Sequence, residues 1–230
     1  MVQLILNDFD VITESNWSTS LLSDVTKAGQ KKARAVGRWL EERGFLTSLE
    51  ERPFGTWMKL GPEDPRVALC GVDNAMARAQ LEAVGFGLVV EFGLGGGPEA
   101  FRSMSIHTFP ASRKASDLWS AQVGTAGTQV SHLPAYQALL EKGLDACGVA
   151  QLASRTVAVP FVGQIAACQA LAELMRRLNG GQAYEVIACS ALALVDIETV
   201  SATAPPYAFG HLVASRTMLD NNENAVANAA

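Results

Sequence analysis

Short apolar runs bounded by glycine, proline or acidic turns alternate along this chain with stretches whose apolar residues recur at helical spacing. Residues 2–7 (VQLILN), Phe45–Glu50, Val67–Cys70 and Gly87–Phe92 read as strands. Asp24 opens a helical pattern that passes through Ala33, Val36, Trp39 and Leu40 to about Arg43, where Gly44 stops it. A second helix spans Asn74–Val84, a short one Ala135–Lys142, and a long alanine-rich one Gly163–Leu178, closed by Gly180-Gly181. Phe101–Phe109 alternates loosely and reads as an outer strand, and Tyr184–Leu194 as one strand or two. Residues 11–24, 51–65 and 110–134 are loops, the last anchored by Trp119. Strand, helix, strand, strand, helix, strand is the order of an α/β domain with a largely parallel sheet. One such domain over residues 1–219 is expected, with a polar, fraying tail at 220–230.

The centre of this pattern is Val67–Arg78, VALCGVDNAMAR, a buried strand that turns through Gly71 into a helix. Its Asp73 stands at the carboxyl end of the strand, the edge at which open α/β sheets hold ligands. There the acid either caps the helix or reaches a cation or ribose. Asp8 and Asp10 close the strand at 2–7, where turn chemistry and a ribose contact are both open. Lys27, Lys31 and Lys32 lie near the start of the following helix, either on a solvated face or as phosphate ligands against a small dipole cost. The run Gly93–Gly97 precedes no clear helix and is not read as a phosphate loop. His107 reads as a hydrogen-bonded structural histidine. Cys147, before Gly148, is either a small buried residue or a nucleophile.

Composition narrows the classes. Hydrophobic residues make up 49% of the 230 and charged ones 18%, with a net charge of −5. No basic block is present, so neither nucleic acid nor an anionic membrane is an expected partner. No run reaches transmembrane length, and the N-terminal residues read as a strand and not a signal peptide. Cys70, Cys147, Cys168 and Cys189 are scattered without a CxxC pair, so no zinc is expected and a reduced, cytoplasmic chain is the simplest reading.

Four blocks follow one another between about residues 2 and 181: LILNDFDVITESNW, KAGQKK at 27–32, CGVDNAMAR, and VPFVGQIAACQALAELMRRLNGG. Together they resemble the ThiF/MoeB family, the ubiquitin-activating-enzyme-like adenylyltransferases. The resemblance implies a Rossmann-like α/β fold and ATP-dependent activation of the C-terminal carboxylate of a ubiquitin-like or sulfur-carrier protein. By position it implies that Asp8 and Asn16 lie at the nucleotide, with Asp8 on the ribose, and that Lys32 reaches the phosphates. Asp73 would hold Mg2+ or orient the phosphates for attack by a carboxylate, Arg78 would be the family's arginine of the following helix, and Cys147 would fall where some members carry a thioester-forming thiol. A homo- or heterodimer is implied in the same way.

The sequence also departs from that family. The glycine-rich G-x-G-x-x-G strand and loop that open the family's fold do not occur before Val2, and Thr19 stands at the arginine position after the Ser-Asn segment. In the family's sheet that first strand lies between the strands at 2–7 and 67–70, so two apolar edges are expected to be open here. A shortened chain, a partner that supplies the strand, or a sheet closed in another order would each account for this. A catalytically inactive scaffold that binds another protein is therefore the alternative function. A nicotinamide-dependent dehydrogenase is a weaker third reading, since the glycine fingerprint is missing.

Overall fold

The computed structural model describes residues 3–17, 19–95, 100–120, 160–191 and 193–202. The expected helix at 135–142, Cys147 and the tail at 220–230 lie outside these residues.

The first unit is β1 (Gln3–Asn7), α1 (Lys32–Glu41) and β2 (Leu46–Glu50), with β1 and β2 paired in parallel from Gln3↔Leu46 to Asn7↔Glu50. Gly37 lets α1 lie close on the strands, because a Cβ there would stand 3.2 Å from Leu49 and 3.6 Å from Leu6. Asn7 ties the strand ends together by donating to the carbonyls of Glu50 and Arg52 at 3.0 and 2.7 Å. The helix is shorter at its start than its spacing predicts. Asp24 caps a separate one-turn 3-10 segment, Val25–Lys27, and Gly29 at φ 80° turns the chain before α1 begins. A positive φ is a conformation that glycine adopts at little cost.

The second unit is a five-stranded sheet of order β3-β4-β5-β6-β7. Its strands are β3 (Val67–Cys70), β4 (Leu88–Leu94), β5 (Ser103–Phe109), β6 (Tyr184–Ser190) and β7 (Ala193–Ser201). Helix α2 (Ala75–Ala79) and a 3-10 turn at Leu81–Val84 connect β3 to β4, α3 (Ala115–Leu118) follows β5, and α4 (Pro160–Leu178) precedes β6. The α/β class holds. Parallel pairing is confined to β1–β2 and β3–β4, while β4–β5, β5–β6 and β6–β7 run antiparallel. The run at 101–109, expected as an outer strand, is instead the middle strand of this sheet. Its loose alternation reflects a strand covered on both faces, with Met104, Ile106, Thr108 and Phe109 all buried.

The core lies on both sides of β4, whose Leu88, Val89 and Val90 are at most 1% exposed. Strand alternation sends Val89 toward α2 and α3, where it meets Cys70, Leu81, Phe109, Ala115 and Trp119. Leu88 and Val90 face α4 through Ala170 and Leu174, with Ile106 and Ile187 beside them. A buried polar clasp locks the end of α4 to the sheet. Glu173 accepts from the Tyr184 amide at 2.9 Å and from Arg176 at 2.6 Å, while Arg177 donates to Thr108 Oγ1 at 2.6 Å. No helix among the described residues is long and apolar enough to cross a membrane.

Among the described residues β1 pairs only with β2, and β3 only with β4, so each keeps one open edge. Apolar side chains stand exposed beside both edges, Ile5 at 40% and Leu69 at 51%. The two open edges are those between which the resemblance places the family's first strand.

The energetic contrast between the units is measurable by urea unfolding. Ile106→Ala, at a fully buried site, is expected to cost about 2–5 kcal/mol. Ile5→Ala, on the open strand, is expected to cost less than about 1 kcal/mol.

Candidate functional site

Between β3 and α2 the chain turns through Gly71-Val72-Asp73-Asn74. Asn74 is the residue that caps the helix, its Oδ1 accepting from the amides of Met76 and Ala77 at 2.9 and 3.2 Å. The capping role left open for Asp73 is thereby taken by its neighbour. Asp73 itself is exposed, and its carboxylate has no hydrogen bond or ion pair among the described residues. Gly71 permits the turn to pass over Phe92, whose ring would lie 2.7 Å from a Cβ at this position.

Arg78 points back under this turn. Its Nε donates to the Val72 carbonyl at 2.7 Å and stands 3.0 Å from Glu91 Oε1. Glu91, on β4, has no exposed surface, and its other oxygen meets His107 Nδ1 on β5 at 2.9 Å. The His107 ring abuts Trp119 edge-on at 5.3 Å. A carboxylate so fully withdrawn from water requires charge and hydrogen-bond partners. Arg78 supplies the charge beside Oε1, which accepts no hydrogen bond, and His107 pairs with Oε2; Arg78 also fixes the backbone that presents Asp73. Gly93 leaves the room for this, since a Cβ there would stand 2.7 Å from the Arg78 guanidinium. Sequence reasoning passed over Glu91 inside GLVVEF. The available signal was a single acid in an otherwise apolar, fully buried strand run.

The second group of candidates gathers at the end of β1. Asp8 accepts from the Asp10 amide at 2.8 Å, and Lys32 pairs with Asp10 at 2.8 Å. Lys31 donates to the Phe9 carbonyl. Burial raises the Asp8 pKa above its ordinary value, against the opposing pull of the Asp10 amide and Lys32. Asn16 accepts from the Thr13 amide at 2.9 Å and closes its own turn. Asp8, Asp10, Lys31 and Lys32 thus form one cluster, and Asp73, Arg78 and Glu91 another. No hydrogen bond or ion pair among the described residues joins the two. Cys147 lies outside the described residues. Among those residues no three His, Cys, Asp or Glu side chains converge as a metal site. A shallow hollow of about 400 Å³, lined by Leu94, Ser103, Ser105, Cys189 and Glu198 among others, contains none of these candidates.

Replacing Glu91 by Leu leaves Arg78 without its counter-charge, and a loss of about 3–5 kcal/mol in denaturant unfolding is expected. Cys70 gives a pH test. Burial pushes its thiol from 9.0 up to about 11, so folding favours the protonated form. The stabilisation is whole below pH 9 and is lost as the pH rises to about 11. Unfolding measured across that window should show a downward slope that Cys70→Ala reduces.

Comparison with known proteins places this geometry. A family model described as the BilD C-terminal domain matches residues 1–181. The Bacterial E1-like protein BilD of Collimonas sp. (strain OK412) is 58% identical over 210 residues, which are 91% of this chain and 46% of that protein. The chain therefore spans about half the length of the curated relative. Among solved structures, E. coli MccB crystallised with MccA aligns at TM-score 0.54 and 11% identity, over 90% of this chain and 58% of that one. MccB with MccA-N7isoASN aligns at TM-score 0.53 and 12% identity, over 89% of this chain and 58% of that one. These likenesses at low identity concern the fold: both units of the present chain superpose within one MccB-like α/β architecture. The described elements from β1 to α4 lie within the matched span, and the chain belongs to the BilD C-terminal domain family.

Proposed function

We propose that this chain forms the part of an E1-like adenylating enzyme that carries the metal-binding aspartate. The carrying observation is Asp73: a free carboxylate at the carboxyl end of a parallel strand, relieved of capping by Asn74 and held in place through Arg78. Mg2+ is commonly held by one or two carboxylates together with substrate phosphates, which fits a single exposed acid. When bound, the ion would offset charge on the ATP phosphates. Asp8 would hold the ribose, beside Asn16. Lys32 would exchange Asp10 for the phosphates. In the reaction, a C-terminal carboxylate oxygen forms a bond to the α-phosphorus, the bond to the pyrophosphate oxygen breaks, and an acyl-adenylate remains. Cys147 is the candidate thiol for a following acyl transfer. A ubiquitin-like or sulfur-carrier protein is the proposed substrate, by the family resemblance; MccB, whose fold this chain shares, was crystallised with MccA.

A second reading has its own support. The open edges of β1 and β3, the pairing of Lys32 with Asp10 and Thr19 in place of the arginine favour a partner subunit without activity of its own. Its role would be to bind a second E1-like or ubiquitin-like chain.

Calorimetry with Mg-ATP separates these readings, using this chain alone and together with the N-terminal part of the Collimonas relative. Under the first reading binding is expected at least in the combined sample, with Asp73→Asn lowering affinity about 10–100-fold as one charged contact is lost. Pyrophosphate exchange should fall in parallel while the circular dichroism spectrum is unchanged. Silence from both samples supports the scaffold.

A further inference from the structure

Arg78 is hydrogen-bonded through a single nitrogen. Its Nε donates to the Val72 carbonyl at 2.7 Å, and Glu91 Oε1, 3.0 Å from the same nitrogen, accepts no hydrogen bond. The terminal nitrogens Nη1 and Nη2 donate to nothing among the described residues. A guanidinium carries its N–H donors in a rigid fork, so the four on these two nitrogens remain available. The side chain is only 17% exposed, and its anchored Nε fixes where the fork lies. Nη2, Nη1 and Cζ stand 2.7, 2.9 and 3.1 Å from the place a Gly93 Cβ would take. The guanidinium therefore lies flat over Gly93, with its donors directed along the surface of the sheet.

That surface is open beside Gly93. In the register of the sheet Gly93 pairs with Ser105 on β5, Ser105 with Ala188 on β6, and Ala188 with Glu198 on β7. Ser105, Ala188 and Glu198 line the hollow of about 400 Å³, and the Ser105 hydroxyl makes no hydrogen bond among the described residues. Fork and hollow are thus neighbours on the face of the sheet turned away from α4. From Gly93 to Glu198 is three strand spacings, about 14 Å, the length of about four residues of extended chain.

The charges select the ligand. A fixed guanidinium fork matches a planar pair of oxygens, as in a carboxylate or a phosphate. Glu91, with no exposed surface, offsets the charge of the fork from the Nε side, so a multiply charged phosphate gains little and a singly charged carboxylate fits better. Glu198 repels an anion at the far end of the row, which sets the carboxylate at Arg78 and the rest of its chain toward β7.

We propose that Arg78 holds the terminal carboxylate of a peptide whose last residues lie extended across Ser105 and Ala188. This deepens the adenylating reading and rests on it for the later reaction of the carboxylate, though not for its binding. Arg78 is then a substrate contact as well as a support for the turn that presents Asp73.

The probe is N-acetyl-glycylglycine, a carboxylate on a bare main chain, titrated into the 15N-labelled full chain without ATP or Mg2+. The amide signals of Gly93 and Ser105 are expected to shift at millimolar peptide. The same peptide with its terminus amidated should bind at least about tenfold more weakly, because the charged contact is lost. Arg78→Lys keeps the charge but not the fork and should weaken binding by about tenfold. Ser105→Val narrows the row without touching the Arg78–Glu91 pair and suits a strand, so it should weaken binding at least about threefold with the circular dichroism spectrum unchanged. Should Arg78→Lys fail to fold, Ser105→Val decides. Unshifted Gly93 and Ser105 signals, an equal response to the amidated peptide, or undiminished binding in Ser105→Val overturns the proposal. Inorganic phosphate that moves the same signals at lower concentration than the peptide overturns the choice of carboxylate. Peptide binding in a chain that shows no Mg-ATP binding would remove the adenylating reading and leave the carboxylate site standing.

Discussion

A carboxylate with no exposed surface cannot stand in an apolar strand without counter-charge, and much of the second unit is arranged around that demand at Glu91. The counter-charge comes from Arg78 on the helix after β3, and a hydrogen-bond partner comes from His107 on the neighbouring strand. Arg78 joins the helix layer to β4, and His107 joins the next strand of the same sheet to it. The same guanidinium holds the Val72 carbonyl, so the electrostatic requirement of the interior is met by fixing the turn at the sheet's edge. Such a pair is weak as a source of net stability against an apolar alternative. Its effect is geometric: the turn that carries Asp73 is tied to the centre of the sheet and does not depend on its own few local contacts.

The sequence made the local pattern readable and left the long-range pairing hidden. The pattern at Val67–Cys70 matches the observed strand, and that of α4 comes within three residues of its start, because buried runs and wide apolar stripes are written in the residues themselves. The place of β5 in the middle of the sheet depends on partners at β4 and β6, one of them some eighty residues further along the chain, which no local window contains. Helix α1 begins late because Gly29 and the Asp24 cap divert the chain, and both residues are also compatible with a continuous start. At the site, two adjacent capping residues, Asp73 and Asn74, are equivalent to a pattern reading. Only the extended backbone at Asn74, φ −94° and ψ 118°, decides between them.

The split between the two sheets gives the membership in a C-terminal domain family a physical sense. Parallel strands are stable when both faces and both edges are covered. β1 and β3 each meet this on one edge alone among the described residues. A domain of this construction holds its second unit through a two-sided core, while its first unit has one helix across two strands. The parts of the chain that the resemblance assigns to nucleotide contact are divided between these two units.

Gly93 and Arg78 occupy a single shared space, since a methyl group at one would displace the guanidinium of the other. The two positions are therefore not free to vary separately. Among relatives that keep the arginine, position 93 should stay glycine even though its backbone is ordinary extended strand. Where the arginine is lost, side chains should return at 93, and the acid at position 91 should disappear with it. That joint pattern would separate relatives that retain a fixed aspartate turn from those in which the turn has been released.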